Sequence, residues 1–557
     1  VPDKRIIVFI GIFVLVNLLQ AIFTPISEDE AYYWLWSQNL DWGYFDHPPM
    51  IAWWIFTGYE IFQNELGVRI FTIFMNGFGL LILWKILQPK TQRQFKLFIL
   101  IFGSVLVFQV FGFLATPDAP LLFFTILYLF SLKKFLEKDS TFYTILLGIA
   151  FAGLMYSKYH GVLVILFTLI PIFKTWWRNP KFYLAVLLGL ILYLPHVFWL
   201  VQHDFAPVKY HFLERSSDEH FEFRKLFNYL GIYFFGCAPL LSYFIFNSIF
   251  ASTSLNKQNN FSSYSIFQKS VWWLAVLPGF FFFLSIFKDN VQPQWLLISF
   301  VAMTLVTYFY YSEKDNLKWI FRLGFAGIIL VFILRILIMT PGISPLFKNL
   351  YFGSILKKYS VKNAVFEKYQ EASVYKFYNP KQNVAVHRTL GNRHSQFSLW
   401  QWEEVFYDKN VTYISPWVKS DDFFTGYKNR NYYLKAIPNY VTYELVKIES
   451  IEKIEAKPNE KINLTIKIRN GHKHPVTIGG GSDLKLNINY YQDLQYEIIY
   501  SDGIITDEFT LQPTEEKELK IEFKNIPQKG NFKACLGLNY VEVGTSYLSK
   551  PILVSSI

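Results

Sequence analysis

The chain has 557 residues, of which 52% are hydrophobic and 20% aromatic, while only 17% are charged and the formal net charge is +11. So few charges exclude an ordinary soluble protein over the whole length. Lys and Arg fall in short clusters between apolar runs, such as Lys133, Lys134 and Lys138, or Lys90, Arg93 and Lys96; that is the pattern of cytoplasmic membrane-protein loops, so the charge does not point to nucleic acid.

The first apolar run, residues 6–23, follows Lys4 and Arg5 as a signal peptide would. Acidic residues, not a small-residue cleavage site, come next, which predicts a retained first span. Further candidate spans centre near Phe74, Ser104, Thr125, Leu147, Leu166, Leu188, Phe235, Phe280, Val301 and Leu330. With the first, near Val14, that predicts about eleven transmembrane helices. With a cytoplasmic N-terminus, the Lys/Arg clusters at 4–5, 85–96, 133–138, 174–181, 257–269 and 314–322 all fall on the cytoplasmic side. Everything after Met339 then lies outside.

On that topology the outer segments are 24–69, 115–120, 157–161, 202–225 and 288–294. They hold nearly every acidic, His or isolated basic residue of the membrane half. The first also carries aromatic stretches (Tyr32, Tyr33, Trp34, Trp36; Trp53, Trp54) suited to interfacial helices. Residues 364–370 and 383–387 read as short strands or helix ends, and 411–414 as a strand. Beyond them, strands are expected at 461–469, 484–491, 497–500, 518–523 and 532–538, punctuated by turn signals such as Asn470-Gly471 and Ser501-Asp502-Gly503. The expected domains are a membrane domain, 1–340, an α/β domain, 341–443, and an Ig-like β-sandwich, 444–557. The two cysteines, Cys237 and Cys535, read as packing residues and do not form a disulfide framework.

Six outer motifs carry candidate chemistry. Ser27-Glu28-Asp29-Glu30 follows the first span, and acids there suit either a helix start or a reaction site. Asp46-His47-Pro48-Pro49 places an acid and an imidazole on a stiff extended segment. Thr116-Pro117-Asp118 is a carboxylate in a tight turn, an N-cap on the plainer reading. Ser157-Lys158-Tyr159-His160 offers one cation between two spans, a snorkelling lysine on the plainer reading. The segment from Gln202, His203 and Asp204 to His211 and Arg215, and the run from Lys288 through Gln292-Pro293-Gln294-Trp295, complete the set.

Taken together, in this order and spacing, the motifs resemble the GT-C glycosyltransferases, in the branch of protein O-mannosyltransferases and lipid A aminoarabinose transferases. The resemblance spans residues 5–340 and, more loosely, the segment to about 440; the terminal β-domain is outside the shared core. It implies a GT-C fold and transfer of a sugar from a polyprenyl-phosphate donor to an acceptor hydroxyl at the outer membrane face, with inversion. It implies Asp29 as the base, with Glu30 or Glu28 orienting it, and Asp118 organising the base or touching sugar or acceptor. Lys158 and Arg215, with His47 and Lys288 behind them, would meet the donor phosphate. A divalent metal at Asp46 with His211 or His203 is implied by the aminoarabinose branch, although His47 stands where that branch has Lys. The matching motifs look bacterial, which places the chain in an inner membrane with its active site facing the periplasm. Two other classes compete. A flippase of lipid-linked sugar would put its polar residues near the bilayer midplane with repeat symmetry, and an anchoring protein would leave the six motifs without purpose. The outer domains, with Trp400, Trp402 and Trp417, are expected to contact acceptor or glycan, or to cover the donor groove.

Overall fold

The computed structural model describes residues 3–138, 140–173, 177–211, 222–252, 265–287, 290–340, 352–389, 392–426, 430–491, 498–540, 543–546 and 548–557. The chain divides into two compact units, residues 1–351 and 352–557.

The first unit is helical. Seven of its described helices are long and apolar enough to cross a bilayer: Lys4–Phe23, Glu65–Leu87, Asp118–Glu137, Pro180–Gln202, Ile266–Ser285, Pro293–Ser312 and Lys318–Met339. The pair Phe223–Phe235 and Pro239–Ala251, bent by 78°, would make an eighth. The expected runs near Ser104, Leu147 and Leu166 also form helices among the described residues, shorter than these, of 13, 17 and 9 residues. The bend falls where Pro239, which lacks an N–H, follows Gly236.

Small residues let these helices approach closely. In Lys318–Met339 a Cβ on Gly327 would come within 2.8 Å of the Ser104 Cβ, while Phe325, Ile329, Phe332 and Ile336 stay exposed on the same helix. Buried Arg335 then ties this helix back to the first, donating to the Asn17 Oδ1 and the Gln109 carbonyl, both at 2.9 Å. In the segment between the first two long helices, two ten-residue helices form, Glu28–Ser37 and Met50–Tyr59. Tyr32, Tyr33, Trp34, Trp36 and Trp54 are buried there, so these rings pack against the rest of the helical unit.

The second unit combines two sheet systems over one core. Strands Asn363–Phe366, Asn383–Val386 and Val411–Ser415 pair in parallel, with the helix Tyr369–Tyr378 as crossover. Asn431–Ile437 and Phe423–Thr425 extend this sheet antiparallel. The segment 364–370, expected as strand or helix end, thus runs from a strand into a helix. Downstream, Lys461–Arg469 pairs with Glu516–Lys524, and Leu484–Tyr491 with Gly530–Tyr540. Ile466, Ile468, Ile521 and Phe523 from the first pair meet Leu486, Ile488, Leu536 and Leu538 from the second. Two sheets face each other as the alternating pattern requires. Val365, Ala385 and Tyr413 of the mixed sheet join the same core. Both cysteines are buried and outside any disulfide.

Candidate active site

The acidic run opens the helix Glu28–Ser37 with a capping box. The Ser27 hydroxyl accepts from the Glu30 amide at 3.2 Å, and the Glu30 carboxylate accepts from the Ser27 amide at 3.1 Å. The Glu30 carboxylate is then fully occupied. Oε1 accepts from Arg69 Nε (2.7 Å) and the Ala115 amide (3.0 Å), and Oε2 from Arg69 Nη2 (2.6 Å). Both side chains are wholly buried, and Arg69 also donates to the carbonyls of Ala21, Thr24 and Pro25. Burial alone would push the Glu30 carboxyl up, but the Arg69 charge and these hydrogen bonds hold it below the ordinary carboxylate range. The chemistry this leaves for Glu30 is to hold the helix start in place. Asp29, one residue earlier, is exposed.

Glu30 reaches the third motif of the set through the Ala115 amide, three residues before Asp118. Pro117, not Asp118, occupies the N-cap of Asp118–Glu137, which frees the Asp118 side chain to receive Lys158 Nζ at 2.8 Å. Both are buried, at 5% and 6% exposure, so neither the N-cap nor the snorkelling lysine describes them. Next in the chain, Tyr159 places its ring 6.1 Å from that of His211, and its hydroxyl lies 3.3 Å from His196 Nε2. His211 in turn stacks on His47 at 6.1 Å and hydrogen-bonds the Asp46 carbonyl through Nε2 at 3.0 Å. Buried Asp46 accepts from the Tyr32 hydroxyl at 2.9 Å, which closes the circuit on the helix that carries Asp29 and Glu30. Five separated segments therefore converge. Arg215 and Lys288 lie outside the described residues.

Sequence reasoning missed Arg69 as the partner of Glu30. A lone arginine early in the apolar helix Glu65–Leu87 was the available signal, since such a charge needs a buried counter-ion. His196 and Trp199, within the span Pro180–Gln202, were also missed: His196 Nδ1 lies 2.7 Å from the Trp42 carbonyl, and Trp199 Nε1 donates to Asp41 at 2.8 Å.

The residues suggested for a metal carry hydrogen bonds of their own: the Asp46 carboxylate accepts from the Tyr32 hydroxyl, and His211 Nε2 lies 3.0 Å from the Asp46 carbonyl. His203 faces elsewhere, stacked on Trp199 at 4.1 Å. Among the described residues, one trio of ligating side chains clusters within 4.8 Å: Glu404, His472 and His474, in the second unit. There the Leu445 amide donates to His472 Nε2 at 2.9 Å, so Nδ1 bears the proton directed at Glu404. A metal on that Nδ1 would have to displace both hydrogen bonds, and the trio is a hydrogen-bonded joint.

Comparison with known proteins follows the same lines. Residues 46–199 match the family model described as dolichyl-phosphate-mannose-protein mannosyltransferase. The lipid A galacturonosyltransferase RgtD of Rhizobium johnstonii is 23% identical over 319 residues, which cover 55% of this chain and 65% of that protein. The chain thus matches a little under two thirds of that relative's length. The crystal structure of ArnT from Cupriavidus metallidurans bound to undecaprenyl phosphate superposes with a TM-score of 0.53 at 11% identity, covering 78% of this chain and 98% of that one. The motifs, the helical fold and these matches agree: the chain is a multi-pass membrane protein with the fold of ArnT, similar to the GT-C glycosyltransferases.

Proposed function

We propose that the chain transfers a hexosyl or pentosyl group from a polyprenyl-phosphate donor to an acceptor hydroxyl at the outer face of a bacterial inner membrane, with the site open to the periplasm. The observation that carries this reading is that Glu30, next to exposed Asp29, accepts from the Ala115 amide three residues before Asp118, which pairs with buried Lys158. The acceptor oxygen attacks the anomeric carbon, the bond from that carbon to the phosphate oxygen breaks, and its electron pair leaves with the lipid phosphate. A hydroxyl is a poor nucleophile near neutral pH, so Asp29 takes its proton during attack. Lys158, Arg215, His47 and Lys288 meet the phosphate charge in a site of low dielectric. Asp118 holds Lys158 in place, and Glu30 acts on Asp29 by fixing the helix turn that presents it. No step is routed through a metal.

The names of the relatives support this choice of donor and favour an acceptor that is itself a membrane lipid, as with RgtD. The test is Asp29→Asn in vesicles containing a labelled polyprenyl-phosphate sugar. Transfer should fall roughly 10²–10⁴-fold, the usual contribution of a positioned base. A wild-type rate would remove Asp29 as the base. Movement of the labelled lipid across the bilayer without bond cleavage would replace the transferase by a flippase.

A further inference from the structure

The second unit has chemistry of its own at the edge where its parallel strands end. From Asn363–Phe366 the chain crosses to Asn383–Val386 on one side, then passes back to Val411–Ser415 on the other. Strand order therefore reverses between Asn363–Phe366 and Val411–Ser415, and right-handed crossovers leave a crevice beyond the carboxyl ends of such a pair. Glu367 follows the first of these strands and Ser415 ends the other, side by side in register. Glu367 is buried, at 5% exposure, yet one of its oxygens takes all its hydrogen bonds. Oε1 accepts from the Tyr413 hydroxyl at 2.9 Å and from the Ser415 hydroxyl at 2.5 Å. Among the described residues, none donates to Oε2. A carboxyl group has lone pairs on both oxygens, and leaving one set unmet in a buried place is costly. Tyr413 and Ser415 hold the group still, so Oε2 is a fixed acceptor.

Aromatic side chains adjoin it. The Trp417 amide donates to the Ser415 hydroxyl at 3.0 Å, and the Trp417 side chain is 66% exposed. Tyr433, the cross-strand partner of Ser415, sets its ring 5.8 Å from that of half-exposed Phe423. The charges then select the ligand. The helix Tyr369–Tyr378 starts two residues after Glu367 without a side-chain cap, which on geometry alone would suit an anion. Two carboxyl groups stand there, Glu367 and buried Glu371, whose Oε1 accepts from the Tyr432 hydroxyl at 2.8 Å. They face a phosphate or a sugar acid with acceptors in place of donors, and exposed Lys368 is screened by water.

We infer that the crevice between the ends of Asn363–Phe366 and Val411–Ser415 binds an uncharged sugar unit of a glycan, with a ring hydroxyl donating to Glu367 Oε2 and the C–H face of the ring on Trp417. A sugar matches both halves of the site: its edge carries hydroxyls for the acceptor, and its polarised C–H bonds are drawn to the negative face of an indole. Binding here does not depend on the transferase reading.

For the test, the full chain in detergent is mixed with the methyl glycosides of glucose, galactose, mannose and N-acetylglucosamine, and contact is read by saturation-transfer NMR. At least one glycoside should gain signal on its ring C–H protons. Trp417 is exposed, so Trp417→Ala should fold as wild type and weaken that glycoside roughly tenfold. Glu367→Gln, which puts a donor where Oε2 accepts, should weaken it to a similar extent. Absence of signal for all four glycosides, or wild-type binding by both variants, overturns the site. Equally tight binding of the methyl glycoside of glucuronic acid overturns Glu367 Oε2 as the acceptor. Asp29→Asn separates this site from the reaction: it should lose transfer and keep the glycoside. If Asp29→Asn loses the glycoside while Trp417→Ala keeps it, the sugar sits in the reaction site and the crevice is overturned. If Asp29→Asn keeps transfer while Trp417→Ala loses the glycoside, the mechanism fails and the crevice stands.

Discussion

The two units handle buried carboxylates differently. In the first, Glu30 faces Arg69 and Asp118 faces Lys158, each carboxylate with its own cation at 2.6–2.8 Å. In the second, Glu403 and Glu444 lie together with the single charge of Arg388, whose backbone amide donates to Glu444. Glu403 Oε1 has no hydrogen-bond partner. Burial, and for Glu403 also the Glu444 charge, pushes both carboxyls above the ordinary range. One arrangement keeps charge in place at the cost of desolvating two ions. The other discards charge by keeping a proton. On the proposed transfer, a site that stabilises a departing phosphate needs the first kind, because a cation already desolvated has little reorganisation left to undergo.

The comparison breaks most visibly at Arg69. Arg69→Ala leaves Glu30 charged, buried and alone, and should cost about 3–5 kcal/mol. The effect would appear as a collapse of the thermal midpoint in detergent, with transfer lost as the turn bearing Asp29 loosens. Arg69→Lys keeps the charge but not the fork that serves two carboxylate oxygens and three carbonyls, so it should recover less than half of the loss. A wild-type melting profile for Arg69→Ala would show that this pair does not hold the helix start.

Lys158 sharpens the comparison because its pair should serve chemistry as well as structure. If the lysine meets phosphate, Lys158→Gln should lower transfer about 10²–10³-fold, the scale on which one charge-stabilising donor acts. Asp118→Asn should lose less, since the ammonium remains. The double variant should melt above Lys158→Gln, which leaves a buried unpaired acid, yet transfer no faster. Recovery of transfer in the double variant would mean that Lys158 matters only to the fold.

These pairings show where sequence reading reached and where it stopped. The helix starting near Ser27 and the strands 461–469 and 484–491 were legible because capping and two-residue alternation are local signals. The grouping of Asp118 with Lys158, 40 residues apart, was legible through motif order alone. The partner of Glu30 was not: Arg69 is 39 residues away, and nothing local says which of three neighbouring acids will turn inward.

A pH-dependent effect is expected in the second unit, where charge is discarded. An unfolded Glu loses its proton near ~4.3, but folded Glu403 keeps it to higher pH. Across that window the folded state holds the extra proton, so stability falls as pH rises, by at most about 1.4 kcal/mol per pH unit. Buried His387, between the hydroxyls of Tyr440 and Tyr443, is pulled down to about 3. An unfolded His titrates near ~6.5, so this group makes stability rise with pH from about 3 to about 6.5 and then level off. Between about 4.3 and 6.5 these slopes oppose each other, and above that the raised carboxyls of Glu403 and Glu444 act without the histidine. Glu403→Gln keeps the shape without the proton and should flatten the alkaline limb while changing little at pH 5. Denaturant midpoints from pulse proteolysis of the 352–557 region in the full chain would show this, and parallel pH profiles for variant and wild type would mean that Glu403 is not the group holding the proton.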